Sequence, residues 1–219
     1  MSVERIEVES DPPVRGVLHP VGSPRADGLV LTHGAGGNSE GPLLVAVAEA
    51  FVSRGIAVLR CDLPFRQARA RGAPSPAGAA RDREGLRAAL RVLAEHAGGR
   101  LFLGGHSYGG RQASILLAAE PALASALLLQ SYPLHPPGRP RNLRIAHLPD
   151  LRVPTLFVSG ATDPFGTPEE LARARELIPG PTALLEVKGG HDLGWGKKRG
   201  DAALPLRIVA TFLQLAGRD

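Results

Sequence analysis

The chain has 219 residues and a mass of 22.9 kDa, a length that suits one domain of ordinary size. Hydrophobic residues make up 43% and charged residues 21%, a globular balance that excludes a disordered, collagen-like or coiled-coil chain. The net charge of +5 would suit nucleic acid, but aromatic residues make up only 4%, so side chains that stack on bases are scarce and we expect no nucleic-acid partner.

The predicted elements begin with two short strands and then alternate regularly. Residues 3–8 and 14–19 have the alternation typical of strands, and Asp11-Pro12-Pro13 separates them, so we expect an antiparallel edge. From residue 28 onward, apolar strands alternate with helical segments. The strands are predicted at 28–32, 56–60, 100–103, 126–129, 154–159 and 183–187, and the helices at 42–54, 80–97, 108–119, 168–177 and 202–215. Segments 64–79 and 133–149 are rich in proline, glycine and arginine and are predicted to be loops.

This alternation predicts an α/β fold with a mostly parallel central sheet and helices on both faces. Right-handed crossovers place the loops that follow the strands at one edge of the sheet, where such folds bind ligands. We predict a single domain over residues 1–219. Residues 131–150, between two predicted strands, are too few for a helical cap domain and contain several prolines, so we expect an open, extended rim instead.

One motif in these loops indicates nucleophilic catalysis. Gly105-His106-Ser107-Tyr108-Gly109 fits the pattern G-x-S-x-G, which is weak alone in a chain with 27 glycines. A predicted strand precedes it and a predicted helix follows it, which is the context of a nucleophile elbow. Glycines beside the serine allow the strained turn to close. The alternative is a glycine-rich turn whose serine caps the helix.

A serine nucleophile needs a base, and the base needs an acid that orients it. His191 follows the last predicted strand in a Gly-Gly-His-Asp sequence and is the candidate base, while Asp163 follows strand 154–159 and is the candidate acid. Asp163 would also suit an Asx turn or a helix cap, and Asp62 and Asp192 are competing acids. The placement of each candidate after a different strand favours a Ser107-Asp163-His191 catalytic triad.

Acyl transfer also needs hydrogen-bond donors for the oxyanion, each worth roughly 3–4 kcal/mol. We expect the backbone amides of Tyr108, directly after the nucleophile, and of Ala35, in the glycine-rich segment 32–37, to form this oxyanion hole. The same segment does not fit a phosphate-binding loop, because position 39 is serine where G-x-G-x-x-G needs glycine. His33 and His106 lie within the two glycine motifs and are expected to shape their turns.

These motifs together resemble the α/β-hydrolase superfamily over residues 28–215, with HGAGG at 33–37, GHSYG at 105–109, GATD at 160–163 and GGHD at 189–192. The order serine, aspartate, histidine is the one found in that superfamily. The lack of a cap is similar to the dienelactone-hydrolase-like group. LTHGAGGN at 31–38 and CDLPF at 61–65 resemble more closely the hydrolase-like domain shared by a testis-expressed protein and a subunit of the NSL chromatin complex. Unlike dienelactone hydrolases, the chain has serine and not cysteine as the expected nucleophile.

The expected function is a serine hydrolase of carboxylesterase type that cleaves an ester, thioester or similar acyl bond of a small substrate through an acyl-enzyme intermediate. The motifs imply no metal and no organic cofactor. Two alternatives stay open at this point: a non-catalytic binding or scaffold protein on a hydrolase fold, and an acyltransferase that uses the same triad.

The sequence also suggests a location. Cys61 is the single cysteine, so an internal disulfide or a cysteine zinc site is excluded. The first ten residues lack the apolar core of a signal peptide, and the most apolar stretch, residues 122–129, is far shorter than the roughly 20 residues that span a bilayer. We expect a cytoplasmic protein without a membrane partner, and the oligomeric state is left open.

Two groups of arginines fall in predicted loops. They are expected either to ring the mouth of the site and favour anionic acyl or leaving groups, or simply to reflect an arginine-rich composition. The groups are Arg66, Arg69 and Arg71, and Arg139, Arg141 and Arg144. Trp195, four residues after His191, is expected either to wall the pocket or to anchor packing.

Overall fold

The computed structural model describes residues 3–196 and 200–217; residues 1, 2, 197–199, 218 and 219 of the predicted domain lie outside the described residues. The described strands are β1 (Glu4–Val8), β2 (Val14–His19), β3 (Gly28–Thr32), β4 (Ala57–Cys61), β5 (Leu101–His106), β6 (Leu127–Gln130), β7 (Thr155–Gly160) and β8 (Thr182–Val187). The described helices are α1 (Pro42–Val52), α2 (Pro64–Ala68), α3 (Ala79–Ala94), α4 (Ser107–Ala119), α5 (Pro168–Arg175) and α6 (Leu204–Leu215). None of these helices is long and apolar enough to cross a membrane.

The eight strands form one sheet in the order β1-β2-β4-β3-β5-β6-β7-β8. The first two are antiparallel to each other, β2 is antiparallel to β4, and all other neighbours are parallel, which confirms the predicted mostly parallel sheet with an antiparallel edge. Strand β3 lies between β4 and β5: the chain passes from β3 to β4 on one side and then crosses over to β5 on the other, so the strand order reverses at β3. In such sheets a crevice opens at this switch point, beyond the carboxyl ends of the strands. Thr32 is paired with Gly105 there, so the loops that follow β3 and β5 meet.

Helices cover both faces of the sheet because alternate residues of each strand point to opposite sides. In β3, Leu29 and Leu31 pack in the cluster that contains α1 and α6, whereas Val30 packs in the cluster that contains α3 and α4. All three side chains are completely buried. Each such burial stabilises the fold by about 2 kcal/mol, so the central strands give the crevice a rigid base.

The structure corrects the predicted loop at 64–79. Pro64–Ala68 forms the short helix α2, and Pro76–Gly78 forms a single turn of 3₁₀ helix. A five-residue helix has almost no stability of its own, and tertiary contacts hold this one. The amide of Phe65 donates a 3.0 Å hydrogen bond to Asp82 Oδ1 on α3, and the Phe65 side chain is buried.

A second correction concerns the predicted turn at 104–107. Strand β5 continues through His106, and helix α4 begins at Ser107 without an intervening turn. The other predicted elements are confirmed, with ends that differ by at most three residues. Between β6 and β7 the described chain forms no separate cap domain, but it is not the extended rim that we expected. It consists of successive turns, among them one 3₁₀ turn at Leu148–Asp150.

Candidate active site

Ser107 lies at the sharp change of direction from β5 to α4. Its φ is +50°, in the left-handed region that residues with a side chain rarely adopt. The turn is possible because glycines surround it: a Cβ on Gly109 would lie 2.4 Å from His33 O, and a Cβ on Gly110 would lie 2.6 Å from Gly105 O. The α4 N-terminus has no side-chain cap, so the alternative of a capping serine is wrong.

The structure brings together the three residues of the predicted triad. Ser107 Oγ lies 2.7 Å from His191 Nε2, and His191 Nδ1 lies 2.8 and 3.0 Å from the two carboxylate oxygens of Asp163. Because the carboxylate can only accept, Nδ1 carries the proton, and Nε2 is left to accept a hydrogen bond from the Ser107 hydroxyl. The Asp163 side chain is buried, and its Oδ1 also accepts from the Phe165 amide at 2.9 Å.

Two further side chains hold His191 in place. The Phe165 ring lies against the imidazole, with ring centroids 4.2 Å apart and an interplanar angle of 32°. His106 Nε2 donates a 2.9 Å hydrogen bond to the backbone oxygen of His191. Burial lowers the pKa of His106 to about 4, so its ring is neutral near pH 7 and can donate from Nε2 alone. His106 therefore does more than shape its turn: it joins the β5 elbow to the loop after β8.

The two competing acids lie elsewhere. Asp62 Oδ1 accepts from the Ser39 amide at 2.7 Å and lies 3.5 Å from His33 Nε2. Asp192 Oδ1 accepts from the Gly194 amide at 2.9 Å. In the described part of the chain, Asp163 is the carboxylate that contacts the His191 imidazole.

The glycine-rich loop after β3 packs against the elbow. A Cβ on Gly34 would lie 3.2 Å from the Ser107 Cβ and 2.8 Å from His106 Nδ1, so the backbone approaches the serine closely. His33 Nδ1 lies 2.8 Å from the Gly34 backbone oxygen, and the Leu63 amide donates to His33 Nε2 at 3.1 Å. Burial lowers the pKa of His33, which favours the neutral ring that these two bonds require. His33 thus shapes its turn as predicted.

The backbone amides of Ala35 and Tyr108 flank this contact. Tyr108 is the second residue of α4, where amides have no acceptor within the helix. Neither amide donates a hydrogen bond to another described residue. The Tyr108 hydroxyl donates a 2.6 Å hydrogen bond to Asp82 Oδ2; burial, and then this carboxylate, raises its pKa. The phenol therefore fixes the first turn of α4.

Arg66 differs from the expectation for the arginine groups. Its side chain is only 8% exposed and its guanidinium donates to five backbone oxygens. The acceptors are Ala35, Gly37, Arg69, Ala70 and Gly72. Arg66 therefore ties the glycine-rich loop to the segment after α2 and does not face a substrate. Of the six arginines, only Arg144 lines the cavity above Ser107.

That cavity has a volume of about 680 Å³. Ser107 and His191 lie in its wall, together with the glycine-rich loop and Pro74 and Pro76 of the segment after α2. Trp195 lines the cavity and is also packed in the core cluster with α1 and α6, so both roles considered for it apply. The polar residues that the sequence analysis missed are Arg111, Gln112 and Gln130. One sequence feature could have identified Gln130 as a residue of the site: it is a polar residue at the carboxyl end of a buried strand.

Comparisons with known proteins agree with this architecture. A family model described as an alpha/beta hydrolase domain matches residues 25–206. The structure is similar to a dienelactone hydrolase from Anabaena variabilis ATCC 29413, with 19% identity, a TM-score of 0.76 and 97% of each chain covered. It is also similar to Est1E from Butyrivibrio proteoclasticus, with 16% identity, a TM-score of 0.74 and coverage of 98% of this chain and 99% of that one. A third similar structure is XC6422 from Xanthomonas campestris, described as a serine hydrolase without a lid, with 18% identity, a TM-score of 0.67 and 94% of each chain covered.

Proposed function

The chain belongs to the alpha/beta hydrolase family, and from this premise we propose that it is a serine hydrolase of carboxylesterase type that cleaves an ester, thioester or similar acyl bond of a small substrate. One observation carries the proposal: Ser107 Oγ, on a strained elbow with φ of +50°, lies 2.7 Å from a His191 imidazole whose other nitrogen is bound by a buried carboxylate. A scaffold protein has no physical need for this arrangement.

The proposed reaction follows from the positions of these groups. The Ser107 oxygen attacks the acyl carbon while His191 Nε2 takes its proton, and the imidazolium formed is stabilised by Asp163. The amides of Ala35 and Tyr108 donate to the oxyanion of the tetrahedral intermediate, each contributing roughly 3 kcal/mol. His191 then gives its proton to the leaving group, and an acyl-enzyme remains on Ser107. Water, deprotonated by His191, releases the acid and restores the serine.

The neighbouring structures support this reaction class. Dienelactone hydrolase is an ester-cleaving enzyme by name, and Est1E has been solved with ferulic acid bound. We extend the proposal to a single cytoplasmic domain that needs no metal or organic cofactor. We also retain the finer resemblance to the group of the testis-expressed protein and the NSL-complex subunit as part of the proposal.

The test is turnover of p-nitrophenyl acetate and butyrate by the purified protein and by its Ser107→Ala variant. We expect the variant to lose at least about a thousandfold in kcat, because the nucleophile is gone. Asp163→Asn should lower kcat by roughly ten-thousandfold although the three side chains keep their positions, because the amide would favour the wrong tautomer of His191. Ser125→Ala, which changes an exposed serine outside the cavity, is the matched control and should keep full activity.

A fluorophosphonate probe gives a second readout on the same proteins. It should label the wild type and the Ser125→Ala control on Ser107, and leave Ser107→Ala unlabelled. Equal low ester turnover in wild type and Ser107→Ala, together with no labelling, would favour a binding protein instead. Product analysis with added alcohol or amine would distinguish hydrolysis from acyl transfer.

A further inference from the structure

Two arginines line the cavity without an acidic partner. Arg111 lies one turn of α4 after Ser107, and Arg144 lies on the segment between β6 and β7. Within the described ranges neither guanidinium forms an ion pair. Burial, and then the positive charge of Arg111, lowers the pKa of Arg144, which indicates that the two cations act on each other. Arginine side chains are cationic at neutral pH, so this part of the cavity wall carries positive charge.

Buried amide groups lie in the same wall. Gln130, the last residue of β6, is completely buried, and neither its Oε1 nor its Nε2 has a hydrogen-bond partner among the described residues. Gln112 Oε1 accepts from Arg83 Nη1 at 2.8 Å, while its buried Nε2 has no acceptor there. A buried polar group without a partner costs about 1–3 kcal/mol, and a polar ligand group that bonds these amides would recover that free energy.

Gln130 is also close to the reacting serine. It is paired across the sheet with His106, the residue directly before Ser107. Arg144 is anchored beside it, since its Nη1 donates to Pro133 O at 3.2 Å and its backbone oxygen accepts from the Tyr132 hydroxyl at 2.6 Å. The polar cluster therefore lies at the end of β6, next to the elbow.

The other charged groups of the cavity wall do not neutralise this cluster. Asp192 is the acidic residue among the described residues that line the cavity, and it forms no ion pair there with Arg111 or Arg144; its Oδ1 accepts from the Gly194 amide. Burial lowers the pKa values of His33 and His106, so both rings are neutral near pH 7. The cluster is thus cationic and rich in N–H donors.

We propose that Arg111, Gln112, Gln130 and Arg144 form a subsite for a carboxylate carried by the substrate, so that the enzyme prefers anionic esters to neutral ones. The inference rests on the proposed hydrolase function. Planar guanidinium groups match the planar carboxylate and can donate to both of its oxygens. The Gln112 and Gln130 amides supply further N–H groups to the same anion.

The experiment compares anionic and neutral esters of similar size. One pair carries the charge in the acyl part, mono-p-nitrophenyl adipate against p-nitrophenyl hexanoate; the other carries it in the leaving group, 4-butyryloxybenzoate against phenyl butyrate. The wild type should have a higher kcat/KM for the anionic member of at least one pair. Arg111→Gln and Arg144→Gln should each lower that anionic-to-neutral ratio about tenfold, the effect of one charge-assisted hydrogen bond.

Arg141→Gln is the matched control, because Arg141 lies on the same segment as Arg144 but is exposed and outside the cavity. It should leave the ratio unchanged. Added salt should weaken the preference for anionic esters less than it weakens an ion pair on the protein surface, because the cluster is partly buried. Ratios that are equal in wild type, Arg111→Gln and Arg144→Gln for both ester pairs would overturn the subsite.

Calorimetric titration of the Ser107→Ala variant with adipate separates this inference from the proposed function. Saturable binding that weakens when Arg111→Gln is added supports the subsite, even if no ester is hydrolysed by the wild type. Absence of saturable binding overturns the subsite, even if neutral esters are hydrolysed and the proposed function stands. Loss of ester turnover alone therefore argues against the hydrolase and not against the anion site.

Discussion

The Nδ1–H of His33 donates a 2.8 Å hydrogen bond to the backbone oxygen of Gly34. That oxygen belongs to the peptide group whose nitrogen is the amide of Ala35, and the Gly37 amide also donates to it at 3.1 Å. In a trans peptide the carbonyl and the N–H point in opposite directions. Holding the Gly34 oxygen therefore sets the direction of the Ala35 amide, the donor that we propose for the oxyanion.

This geometry makes position 34 sensitive to any side chain. In Gly34→Ala the new Cβ would meet the Ser107 Cβ at 3.2 Å and His106 Nδ1 at 2.8 Å, so the loop or the elbow must move. We expect kcat for p-nitrophenyl butyrate to fall by about tenfold to a hundredfold, because a displaced oxyanion donor stabilises the transition state less. Steady-state kinetics on the purified variant measure this.

Gly36→Ala is the matched control in the same loop, because nothing lies within 4 Å of a Cβ built there. It should keep kcat within about twofold of the wild type, because the added methyl group meets no neighbouring atom and leaves the loop in place. Equal losses in Gly34→Ala and Gly36→Ala would mean that general loop disturbance, and not the approach to Ser107, explains the result.

Arg66 should matter for catalysis although it does not reach the cavity. Arg66→Gln removes hydrogen bonds to the carbonyl groups of Ala35 and Gly37, at 2.7 and 2.8 Å, and so unties the glycine-rich loop from the segment after α2. We expect a loss of about 2–4 kcal/mol in the free energy of unfolding, measured by urea titration, and a lower kcat.

Arg71→Gln is its control, since Arg71 is exposed and belongs to the same arginine group. It should change the free energy of unfolding by less than about 0.5 kcal/mol. A stability of Arg66→Gln equal to that of Arg71→Gln would contradict the role that we assign to the buried guanidinium.

Stability should fall on mild acidification. Burial lowers the pKa values of His19, His33, His106 and His147, the last two to about 4, from an unfolded value of 6.5. The unfolded chain then binds more protons than the folded chain below pH 6.5. The free energy of unfolding therefore has its full value above pH 6.5 and decreases as the pH falls toward 4. Each histidine contributes at most about 1.4 kcal/mol to this decrease per pH unit.

His147→Gln tests this assignment, because glutamine does not titrate and can still bond the Ser114 hydroxyl that lies 2.8 Å from His147 Nε2. Urea unfolding between pH 5 and 7 should show a shallower pH dependence in the variant than in the wild type. Parallel curves for the two proteins would show that His147 does not contribute.

The elements that the sequence predicted well are those whose own residues specify them. Strands β2 and β3 have the predicted ends because a run of strand-forming residues lies between turn formers in each case. The proximity of Ser107, Asp163 and His191 could be predicted because the topology of a parallel sheet brings the ends of β5, β7 and β8 to one edge.

The features that sequence reasoning missed depend on distant partners. Helix α2 is stabilised by Asp82, which lies on α3, and the five residues 64–68 are too few to show a helical periodicity in the sequence. Arg66 looks like its exposed neighbours in the sequence, because its acceptors are carbonyl groups that carry no sequence signature. Gln130 is buried by packing that only the folded sheet creates.

Phe165 contacts both the acid and the base: its amide binds Asp163 and its ring lies against His191. Insertions and deletions are tolerated mainly in loops, and the loop between β7 and α5 that carries Phe165 is one of them. A change of length beyond Phe165 would leave both contacts intact. A change between Asp163 and Phe165 would disturb carboxylate and imidazole together, so this short stretch should keep its length even where the remainder of the loop before α5 varies.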